Sequence, residues 1–66
     1  MPLVEVTLTQ GRSADQLRSL IHELHQAVVS AVDAAPASVR VIVREVPAAH
    51  WASGDVTIEE RRASQP

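Results

Sequence analysis

A chain of 66 residues with no cysteine and a net charge of −2 can hold one domain at most, without disulfides or thiolate metal sites. Acidic balance and a single aromatic residue, Trp51, argue against nucleic acid and anionic membrane as partners, and no run approaches the roughly 20 apolar residues of a membrane span. A lone domain this small buries only about 60% of the surface its unfolded chain exposes, so oligomerisation is the stabilising device that composition leaves open.

Residues 2–8 alternate, with Val4, Val6 and Leu8 on one face and Glu5 and Thr7 on the other, the period of a strand. Gln10-Gly11 breaks it and Arg12 sits in the turn. Ser13-Ala14-Asp15-Gln16 has the form of a capping box, and Asp15 places negative charge where a helix dipole favours it. Leu17, Leu20, Ile21, Leu24, Val28, Ala31 and Val32 follow at helical spacing, which predicts one amphipathic helix from about Ala14 to about Val32. Pro36 restricts the residue before it and ends the helix.

Residues 39–45 read as a second strand, with Val39, Val41 and Val43 opposite Arg40, Ile42 and Arg44. Strand, helix, strand is a βαβ unit, whose crossover is right-handed and whose strands are parallel. Two parallel strands under one helix leave sheet edges and a second face uncovered, so the α/β unit asks for copies of itself. Residues 50–55 read as a loop or tight hairpin. Val56 to Ile58 reads as a short strand pairing with a neighbouring subunit, or Thr57 and Glu60 cap one helical turn. The chain is expected to be one domain over 1–66, frayed from about residue 59, and cytosolic.

Taken in order, these features resemble the 4-oxalocrotonate tautomerase family: a Met-Pro start opening into a strand, Gly11-Arg12, a capped helix, Ser38-Val39-Arg40-Val41, and a His50-Trp51 loop. The resemblance covers Met1 to about Gly54. It implies that Met1 is removed and that the exposed Pro2 amine is a general base. It implies that Arg12 binds the substrate carboxylate end, and that Arg40, supplied by a neighbouring subunit, meets the 2-keto or 2-hydroxy end. Trp51 stands where the prototype has phenylalanine, a residue that keeps the pocket apolar. A homohexamer, a trimer of dimers, is the family's common assembly. The loop over residues 52–55 holds less glycine than the prototype's, which bears on substrate preference.

The chemistry of such a site is simple. An ordinary α-amino group titrates near 7.7–8.0 and is mostly protonated at neutral pH. Apolar surroundings, here Val4, Val6, Leu8 and Trp51, and nearby guanidinium groups, Arg12 and Arg40, both disfavour the ammonium form. Arginine also stabilises negative charge on oxygen without losing its proton. A small carboxylic acid substrate with a proton moving between oxygen and carbon needs no metal and no cofactor. Because Pro2 shares strand parity with Val4 while Arg40 alternates away from Val41, the two face opposite sides of one chain's sheet and meet only across an interface.

Other readings of these residues stand beside that one. A proline at a strand start has a structural use, and Arg12 and Arg40 suit a solvated turn or an ion pair with Glu5 or Glu45. Arg44 reads as an interface ion pair, and residues 59–62 as a solvated end. His22 and His25, three apart on the helix, fit a metal only if a third ligand joins them. Hydration or dehalogenation of an unsaturated acid needs a water-activating carboxylate, for which Glu5 and Glu45 are the candidates. A non-catalytic assembly protein of the same fold is the third class.

Overall fold

A computed structural model describes residues 2–65; Met1, whose removal the resemblance implies, and Pro66 lie outside them. Strand β1 (Leu3–Thr9) leads into helix α1 (Ala14–Val32). Strand β2 (Arg40–Val46) returns parallel to β1, in register from Leu3 opposite Arg40 to Thr9 opposite Val46. A short antiparallel hairpin follows, β3 (Ala52–Ser53) with β4 (Val56–Thr57), and then helix α2 (Ile58–Ala63). The expected α/β architecture, a βαβ unit with parallel strands and a short C-terminal hairpin, is the one observed.

The local chemistry explains the boundaries. The Ser13 hydroxyl accepts from the Gln16 N–H at 3.1 Å, and the Gln16 side chain accepts from the Ser13 N–H at 2.9 Å, so two orphan donors at the start of α1 are satisfied reciprocally. Its far end closes on Asp33 at φ 54, a left-handed position that aspartate tolerates better than most residues. A 3-10 turn over Pro36–Ser38 then carries the chain to β2. Val39 terminates that turn, donating its N–H to the Pro36 carbonyl at 3.4 Å. For that reason β2 starts at Arg40, one residue later than the alternation alone suggests.

The chain end differs from expectation. Val56 pairs with Ser53 of the same chain, closing a hairpin. Gly54, at φ 64, supplies the positive φ that so tight a hairpin needs. Residues expected to be frayed from about 59 instead form α2. The Thr57 hydroxyl accepts from the Glu60 N–H at 3.1 Å, and the Glu60 carboxylate accepts from the Thr57 N–H at 2.9 Å. The capping option read from Thr57 and Glu60 is thus the one realised.

Very little of this chain is buried by its own fold. Among the described residues only Val39 and Thr9, each 9% exposed, fall in the interior, and no large side chain is fully enclosed. Leu17, Leu20, Ile21, Leu24 and Val28 are half-buried on the sheet-facing side of α1, while Val32, at the same helical spacing, is exposed because none of the described residues covers the last turn. The radius of gyration is 15.4 Å, against about 11 Å for a compact domain of this length. The excess comes from residues 47–65, whose hairpin and α2 pack on one another and on the 3-10 turn Ala48–His50. They form an arm that extends the molecule to 46 Å in its longest dimension.

Candidate active site

The sheet divides the candidate residues by face. Along β1 and β2 burial alternates: Val4, Val6 and Leu8, with Val41 and Val43, are half-buried on the side that α1 covers. Leu3, Glu5, Thr7, Arg40, Ile42 and Arg44 are more exposed on the open side. Pro2, half-buried at the head of β1, has the parity of Val4. Its carbonyl accepts from the Arg40 N–H at 2.9 Å, so the two residues are backbone neighbours. The Arg40 side chain nonetheless leaves on the other face. Its guanidinium turns back over the preceding 3-10 turn and donates to the carbonyls of Ala37, at 2.9 Å, and Val39, at 3.3 Å.

The sheet also divides them by end. Arg12, Leu8 and Trp51 belong to the opposite end from Pro2 and Arg40. The six steps from Leu3 to Thr9 cover about 20 Å at about 3.3 Å per residue. Arg12 lies beyond Thr9, where Gly11 at φ 135 turns the chain and the Arg12 guanidinium donates to the Thr9 carbonyl at 3.0 Å. Leu8 is opposite Glu45, one step before the end of β2. Trp51, 37% exposed, follows the turn beyond β2, and its carbonyl accepts from the Ile58 N–H at 2.8 Å. One chain therefore does not bring Pro2 together with Arg12, Leu8 or Trp51. It presents two half-sets, one at each end of a parallel pair.

Two other groups find partners within the chain. Arg44 makes an ion pair with Glu5 at 3.1 Å on the open face, an intrachain contact where an interface one was expected. It joins strand neighbours two residues off register, since Thr7 is opposite Arg44 and Glu5 opposite Ile42. Both groups are about half exposed, so the pair contributes little to stability. It does engage Glu5, one of the two carboxylates available to activate water. His25 shares its Nε2 with the Pro36 carbonyl at 3.0 Å and so ties α1 to the turn before β2.

A depression of about 410 Å³ lies between α1 and the start of β2, walled by Arg18, His22, His25 and Gln26 over Val39 and Val41. None of the five sequence-predicted site residues lines it. The sequence did not single out Arg18, and His22 and His25 were weighed there only as metal ligands. The available signal was their spacing, since positions 18, 22 and 25 recur on one helix face.

Residues 2–61 match the family model described as tautomerase enzyme. The chain belongs to the tautomerase family. A probable tautomerase of Ralstonia nicotianae is 46% identical over all 66 residues, which span 91% of that protein. The 2-hydroxymuconate tautomerase of Stutzerimonas stutzeri is 39% identical over 54 residues, 82% of this chain and 86% of that one. Among solved structures, the heterohexamer 4-oxalocrotonate tautomerase from Chloroflexus aurantiacus J-10-fl superposes with a TM-score of 0.86 at 38% identity, over 91% of this chain and 97% of that one. The tautomerase is thus of the 4-oxalocrotonate type that its motifs resemble, an isomerase acting by keto–enol exchange.

Proposed function

We propose that this tautomerase is a cytoplasmic homo-oligomer, a trimer of dimers, that moves a proton between oxygen and carbon of a 2-hydroxydienoate such as 2-hydroxymuconate. The base is the secondary amine of Pro2 after loss of Met1. The observation that carries the shared-site reading is the division of the candidate residues. Pro2 stands at one end of the sheet, with Arg12, Leu8 and Trp51 at the other, so a complete constellation requires more than one chain. The Stutzerimonas relative's name supplies the substrate class, and the Chloroflexus heterohexamer supports six subunits.

The chemistry follows from the groups. Pro2 nitrogen takes the hydroxyl proton of the dienol acid; the electron pair moves through the conjugated system, and the same proton is returned to a distant carbon. The product is the 2-oxo-enoate, and the amine is regenerated neutral. Arg12, from the far end of another chain, forks onto the terminal carboxylate. Arg40, from a third position, faces the oxygen on which negative charge grows. Leu8 and Trp51 exclude water around the amine and disfavour its charged form. Arg44 engages Glu5, one of the two carboxylates that hydration would call on.

Intact mass measurement is the first test, since a mature chain retaining Met1 has no free Pro2 amine and would end the proposal. Pro2→Ala is expected to lower kcat/KM on 2-hydroxymuconate by roughly 100-fold or more, the usual worth of a positioned base. Arg40→Ala is expected to reduce turnover on a similar scale without changing helix content by circular dichroism.

A further inference from the structure

Arg40 is held by backbone carbonyls and not by a carboxylate. Both bonds come from one nitrogen: Nη1 donates to Ala37 at 2.9 Å and to Val39 at 3.3 Å. The Nε and Nη2 hydrogens, which lie side by side in the guanidinium plane, have no partner among the described residues. They are the fork that matches the oxygens of a 2-keto or 2-hydroxy acid. A long side chain gives up much rotamer freedom when it is held this way, and the direction of the fork is set by whatever holds Nη1. That is the 3-10 turn Pro36–Ser38 with the Val39 that ends it.

The turn is shaped from within and seated from outside. Ser38 donates to the Ala35 carbonyl from its N–H at 2.9 Å and from its hydroxyl at 2.7 Å. The Val39 N–H reaches the Pro36 carbonyl only at 3.4 Å. Among the described residues one hydrogen bond crosses to the turn from α1: His25 Nε2 on the Pro36 carbonyl at 3.0 Å, eleven residues away in the chain. A carbonyl only accepts, so Nε2 carries the proton. His25 is half-buried beside Val39 and Val41 in the middle of a capped helix, so the anchor is itself firmly placed. The Pro36 ring fixes φ, so a shift of its carbonyl is passed on to Ala37. We infer that His25 is a positioning residue for the tautomerase reaction: through the Pro36 carbonyl it seats the turn whose Ala37 and Val39 carbonyls aim the Arg40 fork. Locked supporting contacts of this kind keep a reacting group in its productive geometry. The inference rests on the role proposed for Arg40. Since Arg40 faces the oxygen where charge grows, and Arg12 lies at the other end of the sheet, loss of His25 lowers kcat and leaves KM nearly unchanged.

The test is a set of variants of the full chain, assayed on 2-hydroxymuconate with melting curves and light scattering alongside. His25→Leu keeps apolar bulk and removes the donor; kcat is expected to fall roughly 3- to 10-fold, the worth of one hydrogen bond. His25→Gln places an amide N–H where Nε2 stood and is expected to restore most of the loss. His25→Asn, whose amide reaches only as far as Nδ1, is not. His22→Leu, on the same wall of the depression, is expected to leave kcat and KM unchanged. In an Arg40→Ala background His25→Leu is expected to cost nothing further, because the group it positions is gone. A general loss of folded protein would instead multiply through both backgrounds, and equal losses there overturn the inference. So does equal activity of the Gln and Asn variants, a comparison that stands even where His25→Leu fails to assemble. An unchanged kcat in His25→Leu beside a slow Arg40→Ala overturns the positioning role alone and leaves the proposed function standing. Full activity of Arg40→Ala overturns both.

Discussion

Gly11 has the most specific requirement of any residue near the proposed chemistry. Its φ of 135 lies where side-chain-bearing residues are strained, at a cost of about 1–3 kcal/mol. A Cβ there would meet nothing within 4 Å, so the penalty is purely one of backbone conformation. The turn relaxes by changing φ, and Arg12, one residue on, moves with it, losing the alignment fixed by its bond to the Thr9 carbonyl. Gly11→Ala is therefore expected to fold and assemble, melt lower by at least about 4–8 °C, and show a raised KM that resembles Arg12→Ala in direction and is smaller in size. Steady-state kinetics beside a melting curve checks this; an unchanged KM would mean that Arg12 does not depend on the turn for its position.

At the scale of elements, two capping boxes do similar work at the starts of α1 and α2. Ser13→Ala removes the acceptor for the Gln16 N–H and is expected to cost about 1 kcal/mol, read as a lower melting midpoint by about 4–8 °C. Glu60 makes the second box sensitive to pH. Hydrogen bonding from the Thr57 N–H, then the bond to the Thr57 hydroxyl, lowers its pKa below the ordinary 4.5. A depressed carboxylate contributes stability above the unfolded value and loses it as pH falls through the folded one. The start of α2 is expected to loosen only below pH 4.5, followed by the Thr57 amide shift in a nuclear magnetic resonance titration. Glu60→Gln, which keeps the box without titrating, should flatten that curve. A midpoint at or above 4.5 would contradict the cause assigned.

These boxes also show what was legible in the sequence. α1 could be placed at both ends because a reciprocal cap and a long 3.6-residue pattern agree. α2 was open to two readings, because a six-residue helix has too little periodicity to outweigh the habit of reading termini as frayed. The 3-10 turns at Pro36–Ser38 and Ala48–His50 are too short to leave any period. The first of them shifted the start of β2 by one residue. Arg44 was recognised as an ion-pairing residue, but its partner was not, because register decides whether Glu5 of the same chain lies within reach. The candidate site was legible as residue types in family order. Its division between the two ends of the sheet follows only from strand length, and its division between faces only from parity.

For the whole molecule, that division makes a prediction about mixtures. If every site draws Pro2 and the Arg40 side chain from different chains, two inactive variants can restore one another. Pro2→Ala chains still offer Arg40, and Arg40→Ala chains still offer Pro2. Unfolding and reassembling them together at equal amounts gives about one complete site in four by random choice of subunits in a symmetric assembly. Activity should then rise from near zero toward about a quarter of the unmodified protein's, while mixing without unfolding recovers little if subunits exchange slowly. A site built within one chain gives no recovery at any ratio, since each chain lacks one member. Varying the ratio sharpens the distinction. Recovery peaks at equal amounts and falls symmetrically on both sides, because it follows the product of the two fractions, whereas contamination by unmodified protein would scale with one preparation alone.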